Sequence, residues 1–530
     1  MAVACKTMTR RLRHGCIAAA LTLVAATPVS AQTITAVMAS QVTVLDPVLT
    51  ASHQTRNHAY MVYDTLLATD AQNDIRPQMA ERWEVSEDGK VYTFTLRDGL
   101  NWHDGLPVLA RDCVASIKRW GQQDQMARKL MPLVDSIDAI DERTFQIVLN
   151  TPTEALLVAL AKPSGLPAFM MPERIAATPA SQAITEQVGS GPFKFVAAEF
   201  QPGVRAVYVK NEDYVPRDEP PSGMAGGKVV NVDRVEWLVM PDRLTAVNAL
   251  LSADVDYLES VPFDLVPLLE RDDQITTRVL DKMGNHAMYR FNQSQPPFDN
   301  KLIRQAAMYA IGQEEALRAQ VGDPDYYRTC PALFGCDLPY ESDALSEMIV
   351  EANPEKARQL LEQAGYDNQP VLILQATDVA MSSALPVVMA DQLRQAGFNV
   401  SVESMDFMTM LSRRSNRDIP ARGGWSIFAT TWHVSEIMDP LRNYGVSASG
   451  DQGWFGWPDV PEVESLRTQF LLADTQEARV SYAQQLQRVM LDEGVTVPLG
   501  EITTAAAYRN TITGVLEAPV PSFWNMRKSE

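Results

Sequence analysis

Residues able to do chemistry are spread along this chain and do not gather into a catalytic signature. Gly189-Ser190-Gly191 lacks the spacing and the strand–helix setting of a nucleophile elbow. No phosphate- or dinucleotide-binding glycine motif occurs, and His53, His58, His103, His286 and His433 make no HExxH or other tight metal spacing. Carboxylate pairs are plentiful in so acidic a chain and therefore select nothing. What remains is chemistry suited to recognition. Arg413, Arg414, Arg417 and Arg422 precede an apolar run, and a guanidinium can clamp a carboxylate through two bonds. Arg422, beside Gly423-Gly424-Trp425, is the preferred one of the four; the alternative for each is an ordinary surface charge. Trp425 and the Gly453-Trp454-Phe455-Gly456-Trp457 loop put aromatic surface on glycine-rich backbone, suited to a ligand wall or to plain packing. Nothing in the sequence calls for a cofactor or a metal.

The elements that would position these residues have readable signals. The run 427–430 is a strand, so Trp432 stands just past a carboxyl end, where open α/β sheets bind ligands. Its indole offers a flat apolar wall with one N–H donor, or a core residue. Segments 371–374 and 398–402 are strands flanking a helix at 383–396 that Gly397 ends. Asn353, Pro354 and Gly365 mark the N-cap, first residue and stop of a helix at 354–364. A second such unit has strands at 193–196 and 204–209 around Gln201-Pro202-Gly203, then a strand at 235–240, a helix at 243–251 and a strand at 256–258. Strand–helix–strand order implies a partly parallel sheet. Within 76–120, segments 83–85 and 91–96 flank Asp88-Gly89, a dipeptide that tolerates a tight hairpin turn. Two α/β units plus mixed hairpins predict two or three lobes, as a chain of this length requires.

Lys6, Arg10, Arg11 and Arg13, an apolar stretch at 17–26 and Val29-Ser30-Ala31 compose an export signal cleaved near Ala31, with a faint twin-arginine cue at Thr9-Arg10-Arg11. The stretch is too short to read as a membrane anchor. The chain carries 46 basic and 66 acidic residues, net −20, and loss of the four basic signal residues brings this to −24. That excess argues against nucleic acid and anionic lipid as partners. Cys113, Cys330 and Cys336 remain after the signal. An oxidising compartment favours a Cys330–Cys336 bridge; a metal site lacks a partner Cys or His at finger spacing. Cys113 reads as a small buried thiol.

A series of short motifs runs in one order along the chain. They are Leu45-Asp46-Pro47 with Tyr63-Asp64-Thr65-Leu66-Leu67, the 76–120 stretch, and Gly189-Ser190-Gly191-Pro192-Phe193. Further on come Ala249-Leu250-Leu251 through Asp256, Pro296-Pro297-Phe298-Asp299, and Pro354-Glu355-Lys356-Ala357 with Gly365-Tyr366. Together they resemble the peptide/nickel/oligopeptide family of extracytoplasmic solute-binding proteins, family 5, over nearly the whole mature chain. The resemblance implies an α/β, type II periplasmic-binding-protein fold with two hinged lobes and an inserted α+β subdomain. Its expected layout is signal 1–31, first lobe 32–75, insert 76–188, first lobe 189–285, second lobe 286–497 and first lobe 498–530. It implies a monomeric periplasmic receptor that hands a peptide or peptide-like solute to ABC permease subunits, and no enzyme. The alternatives are a periplasmic enzyme or a signalling adaptor or chaperone on the same fold, and a metal chelate, opine or oligosaccharide as ligand. The family's ligand-facing tryptophan matches Trp432. Where peptide-binding members carry an amine-pairing aspartate three residues later, this chain has Ser435, and Glu436 stands next to it as a replacement or as a solvated loop carboxylate. His53 lies in the first-lobe cleft loop, and His433 and Trp454 complete the expected contacts. Asp439-Pro440 and His103 are read as structural.

Overall fold

The computed structural model describes residues 1, 32–379 and 381–529; the expected signal segment lies outside the described residues apart from Met1. Among the described residues the chain builds two large sheets. The first has seven strands in the order Phe193–Phe195, Arg205–Lys210, Arg234–Leu238, Thr33–Val37, Tyr257–Leu258, Ala505–Arg509, Ile275–Val279. Thr33–Val37 runs parallel to both of its neighbours, with Ala36 opposite Trp237 on one side and Tyr257 on the other. Parallel strands need a crossover, and the helix Arg243–Leu251 supplies it. The expected strand–helix–strand unit is present, with the strand at 33–37 slotted between its two strands. The hairpin Phe193–Phe195/Arg205–Lys210 closes one edge, its turn using Gly203 at φ 78°.

The second sheet has six strands, in the order Tyr327–Arg328, Val497–Ile502, Asn285–Phe291, Ile427–His433, Pro370–Ala376, Asn399–Met405. Pro370–Ala376 is parallel to both neighbours, and Leu385–Gln395 is its crossover helix. Pro354–Ala364 forms where its local signals place it. Asn353 accepts from the Lys356 amide, and Gly365 ends the helix at φ 67°. A separate antiparallel sheet of Ala80–Val85, Val91–Leu96, Thr144–Leu149 and Val134–Ala139 carries the Asp88-Gly89 hairpin. Its core is continuous with the helices Pro461–Leu471 and Gln476–Asp492: Phe94, Trp120 and Phe145 share one apolar cluster with Val463, Phe470 and Leu486.

The chain passes between the two large sheets at 280–284 and at 503–504. The second crossing corrects the expected boundary at 498. Strand Val497–Ile502 pairs with Asn285–Phe291, and Leu499 and Ile502 are fully buried in the second sheet's core, so the first lobe resumes only at Ala505. Cys330 and Cys336 form a disulfide, and Cys113 is a buried free thiol. His103 braces a turn, its Nε2 near the Gly191 carbonyl and its Nδ1 accepting from the Gly189 amide.

Candidate functional site

The carboxyl ends of the parallel strands of both sheets point into one cleft, the position where open α/β sheets place ligands. It holds a cavity of about 410 Å³, within the usual range for a small-molecule site. From the first sheet come Ala39, just past Thr33–Val37, Glu259 past Tyr257–Leu258, Arg243 past Arg234–Leu238, and the start of helix His53–Val62. From the second come Thr431 and His433 at the end of Ile427–His433, Asp378 and Val379 past Pro370–Ala376, and Phe407 past Asn399–Met405.

His53, His433 and Glu436 come together. The His53 and His433 rings lie 4.3 Å apart, edge to face, and His53 Nε2 is 3.1 Å from Glu436 Oε1. The Ser164 hydroxyl donates to the same carboxylate, and Arg56 stands 3.9 Å away while it donates to Ser164 and Asn57. His433 Nδ1 in turn lies 3.1 Å from Asp281. Desolvation in the cleft pushes the His53 imidazole down to about 4, against the pull of Glu436. Burial by itself would raise the Glu436 carboxyl; His53, His433 and Arg56 outweigh it and hold the group well below the carboxylate range. At neutral pH this is a neutral imidazole beside a carboxylate whose bonds are already supplied by protein.

Trp432 and Trp454 also come together, with ring centroids 4.8 Å apart and Tyr444 closing the far side of Trp432. Strand alternation puts Trp432 on the face shared with Thr430, which lines the cavity, and opposite to Thr431 and His433. Both indoles are half-buried and neither lines the cavity itself. Arg414 and Arg290 stack on Trp454, at 5.2 and 5.0 Å.

Three expected contacts lie elsewhere. Trp425 is fully buried, packs on Phe428 and donates its N–H to the Arg414 carbonyl, so it is a core residue. It precedes the strand, at the end away from the cleft. Arg422 is 73 % exposed, beside Asp418 at 3.7 Å, on the same distal side. Ser435 turns inward: it is 1 % exposed, and its hydroxyl has no partner among the described residues. Sequence reasoning missed Glu259, Asp281 and Arg243. Their signal was position, since each follows or flanks a first-sheet strand, and no side-chain motif marks them.

Two α/β sheets facing across a cleft and joined by two crossings define the type II periplasmic-binding-protein fold. Solved structures share it. A dipeptide-binding protein from Pseudoalteromonas sp. SM9913, in complex with Met-Leu, superposes with TM-score 0.80 at 19 % identity, over 94 % of this chain and all of that one. The binding protein AgaA from A. tumefaciens R10, in complex with agropinic acid, gives 0.77 at 22 % identity, over 94 % and 99 %. The family model for bacterial extracellular solute-binding proteins, family 5 (middle), matches residues 74–449. A Sinorhizobium fredii protein named "Probable peptide ABC transporter periplasmic-binding protein" is 40 % identical over 508 residues, 95 % of each chain. The chain belongs to the family 5 extracellular solute-binding proteins, the solute-capturing components of ABC importers.

Proposed function

We propose that this protein works in the periplasm, where it closes its two lobes on a peptide or peptide-like small polar solute and delivers it to membrane permease subunits. The observation that carries this is the 410 Å³ cavity at the carboxyl ends of both sheets, walled by groups from each lobe. Capture by such a cleft requires that the solute bind the closed form better than the open one. The half-buried Trp432 shares a strand face with Thr430, which lines the cavity, and with Trp454 it offers apolar surface to a side chain or ring of a solute that reaches past Thr430. The peptide assignment is supported by the 40 % identical relative's name. It does not rest on an aspartate after Trp432: Ser435 is buried, and Glu436 is occupied by His53, Ser164 and Arg56.

The test is thermal unfolding of the purified protein against a panel of short peptides, opines and oligosaccharides. A cargo at a hundred times its Kd stabilises by about 2.7 kcal/mol. The reading expects such a shift from at least one peptide-like solute. A shift from oligosaccharides alone, or from nothing in the panel, contradicts it.

A further inference from the structure

Resting on the proposed reading, and deepening it, we infer that the cleft recognises an α-amino-acid head, in which a free ammonium and a free carboxylate share one carbon. Arg243, Ala39 and Glu259 follow three adjacent strands of the first sheet, Arg234–Leu238, Thr33–Val37 and Tyr257–Leu258. Ala39 is the middle one, and its backbone holds both charged neighbours. Its amide donates to Glu259 Oε2 at 2.6 Å, and its carbonyl accepts from Arg243 Nη2 at 2.8 Å. The two ionic heads are therefore set apart by the span of a single residue's N–H and C=O, while among the described residues no ion pair joins them.

Each keeps capacity for a guest. The Arg243 guanidinium has five N–H donors and gives one to Ala39. Glu259 takes one donor on each oxygen, Ala39 N–H and Asn57 Nδ2, which leaves further lone pairs. Of the other carboxylates facing the cavity, Asp281 is held by His433 and by the Met283 and Gly284 amides. Asp378 accepts the Phe407 amide on one oxygen and belongs to the second-lobe wall, away from Ala39 and Arg243. Arg243 is the one Arg or Lys among the described residues lining the cavity. A carboxylate on Arg243 and an ammonium on Glu259 would form charge-assisted bonds side by side over Ala39.

A second cavity, about 380 Å³, adjoins the first and shares Arg243, Ser260, Met381 and Thr504 with it. Its walls include Val261, Pro262 and Phe263 from the first lobe and Val321 and Ala384 from the second. Arg243 sits where the two meet, so the body of the cargo can extend either way from a head anchored there. An ordinary α-peptide separates its free amine from its free carboxylate by the length of the chain. A side-chain-linked peptide, or another solute with an intact amino-acid head, keeps them on one carbon.

Isomers test this directly: γ-glutamyl-leucine has the intact head, and α-glutamyl-leucine has the same atoms without it. Calorimetric titration of the full protein should favour the γ isomer, at least about tenfold in Kd. Arg243→Gln and Glu259→Gln should each remove that preference, and the unliganded melting point shows whether either variant is simply misfolded; Arg243→Lys, which keeps the charge, should restore part of it. Equal affinity for the two isomers, or preference for the α isomer, overturns the inference and leaves the peptide-receptor reading intact. Binding of neither isomer also overturns it, and the receptor reading then stands or falls on the wider solute panel.

Discussion

His53, at the start of the first lobe's cleft helix, and Glu436, just past the end of a second-lobe strand, meet at 3.1 Å and join the two halves of the molecule. Glu436 also bonds the buried Ser164, which in turn accepts from the buried Arg56, while His53 caps this polar knot from its partly exposed side. Truncating one member of such a knot strands the rest. Glu436→Ala removes the carboxylate that acts most strongly on the Arg56 guanidinium, 3 % exposed, and leaves it the weaker pull of Glu259 and Asp281. The expected cost is about 3 kcal/mol of stability, read as a lower denaturant midpoint. Glu436→Gln keeps an acceptor for Ser164 and should cost less. Equal midpoints for Glu436→Ala and the parent would show that the knot carries no stability.

Acid should destabilise the protein in a defined window. His53, His58 and His103 are each pushed from the ordinary 6.5 down to about 4, chiefly by burial. Between those two values the unfolded chain binds more protons than the folded one, so stability rises with pH across the window and falls on acidification through it. His58, fully buried against Tyr208 and Gln187, is the cleanest reporter. Melting temperatures from pH 7 to pH 4 should fall steadily, and His58→Gln should flatten part of the slope. A flat profile contradicts the burial of these imidazoles in neutral form.

Two tryptophans seven residues apart should behave differently. Trp425→Ala empties a fully buried site and should cost about 4 kcal/mol of stability. Trp432→Ala removes a half-buried ring and should cost less stability, but weaken solute binding by about tenfold or more. Denaturation and titration of both variants separate the roles. A Trp432→Ala protein that binds with parental affinity would remove the indole from the cargo wall.

The Cys330–Cys336 bridge closes a short loop. In the loop-entropy picture its loss costs about 2 kcal/mol. The Cys330→Ser, Cys336→Ser double variant should show that drop in chemical denaturation, and the parent should match it under reducing conditions. No difference would show that the bridge is not formed in solution.

Elements with local signals were legible, and contacts between distant segments were not. Asn353, Pro354 and Gly365 fixed the helix Pro354–Ala364 to the residue, because capping is decided within a turn. The helix Arg243–Leu251 was equally plain, begun by Asp242 accepting from the Thr245 amide. The Asp88-Gly89 hairpin followed from one dipeptide. By contrast, Trp425 and Trp432 look alike in sequence, and which end of the strand faces the cleft is decided by the parallel pairing of Pro370–Ala376 with both neighbours. The expected boundary at 498 cuts through the strand Val497–Ile502, because the partner that holds it in the second lobe, Asn285–Phe291, lies about two hundred residues away. Arg243 and Glu259 were missed for the same reason: only the first sheet's strand order brings them to either side of Ala39.

Native mass spectrometry of the protein from gentle periplasmic extraction tests the central claim most directly. The account predicts a bound small molecule, released on unfolding with its mass unaltered, that restores thermal stability when added back to stripped protein. Protein that carries no such molecule and is stabilised by none from the extract, or a released molecule chemically changed by incubation with the protein, would contradict it.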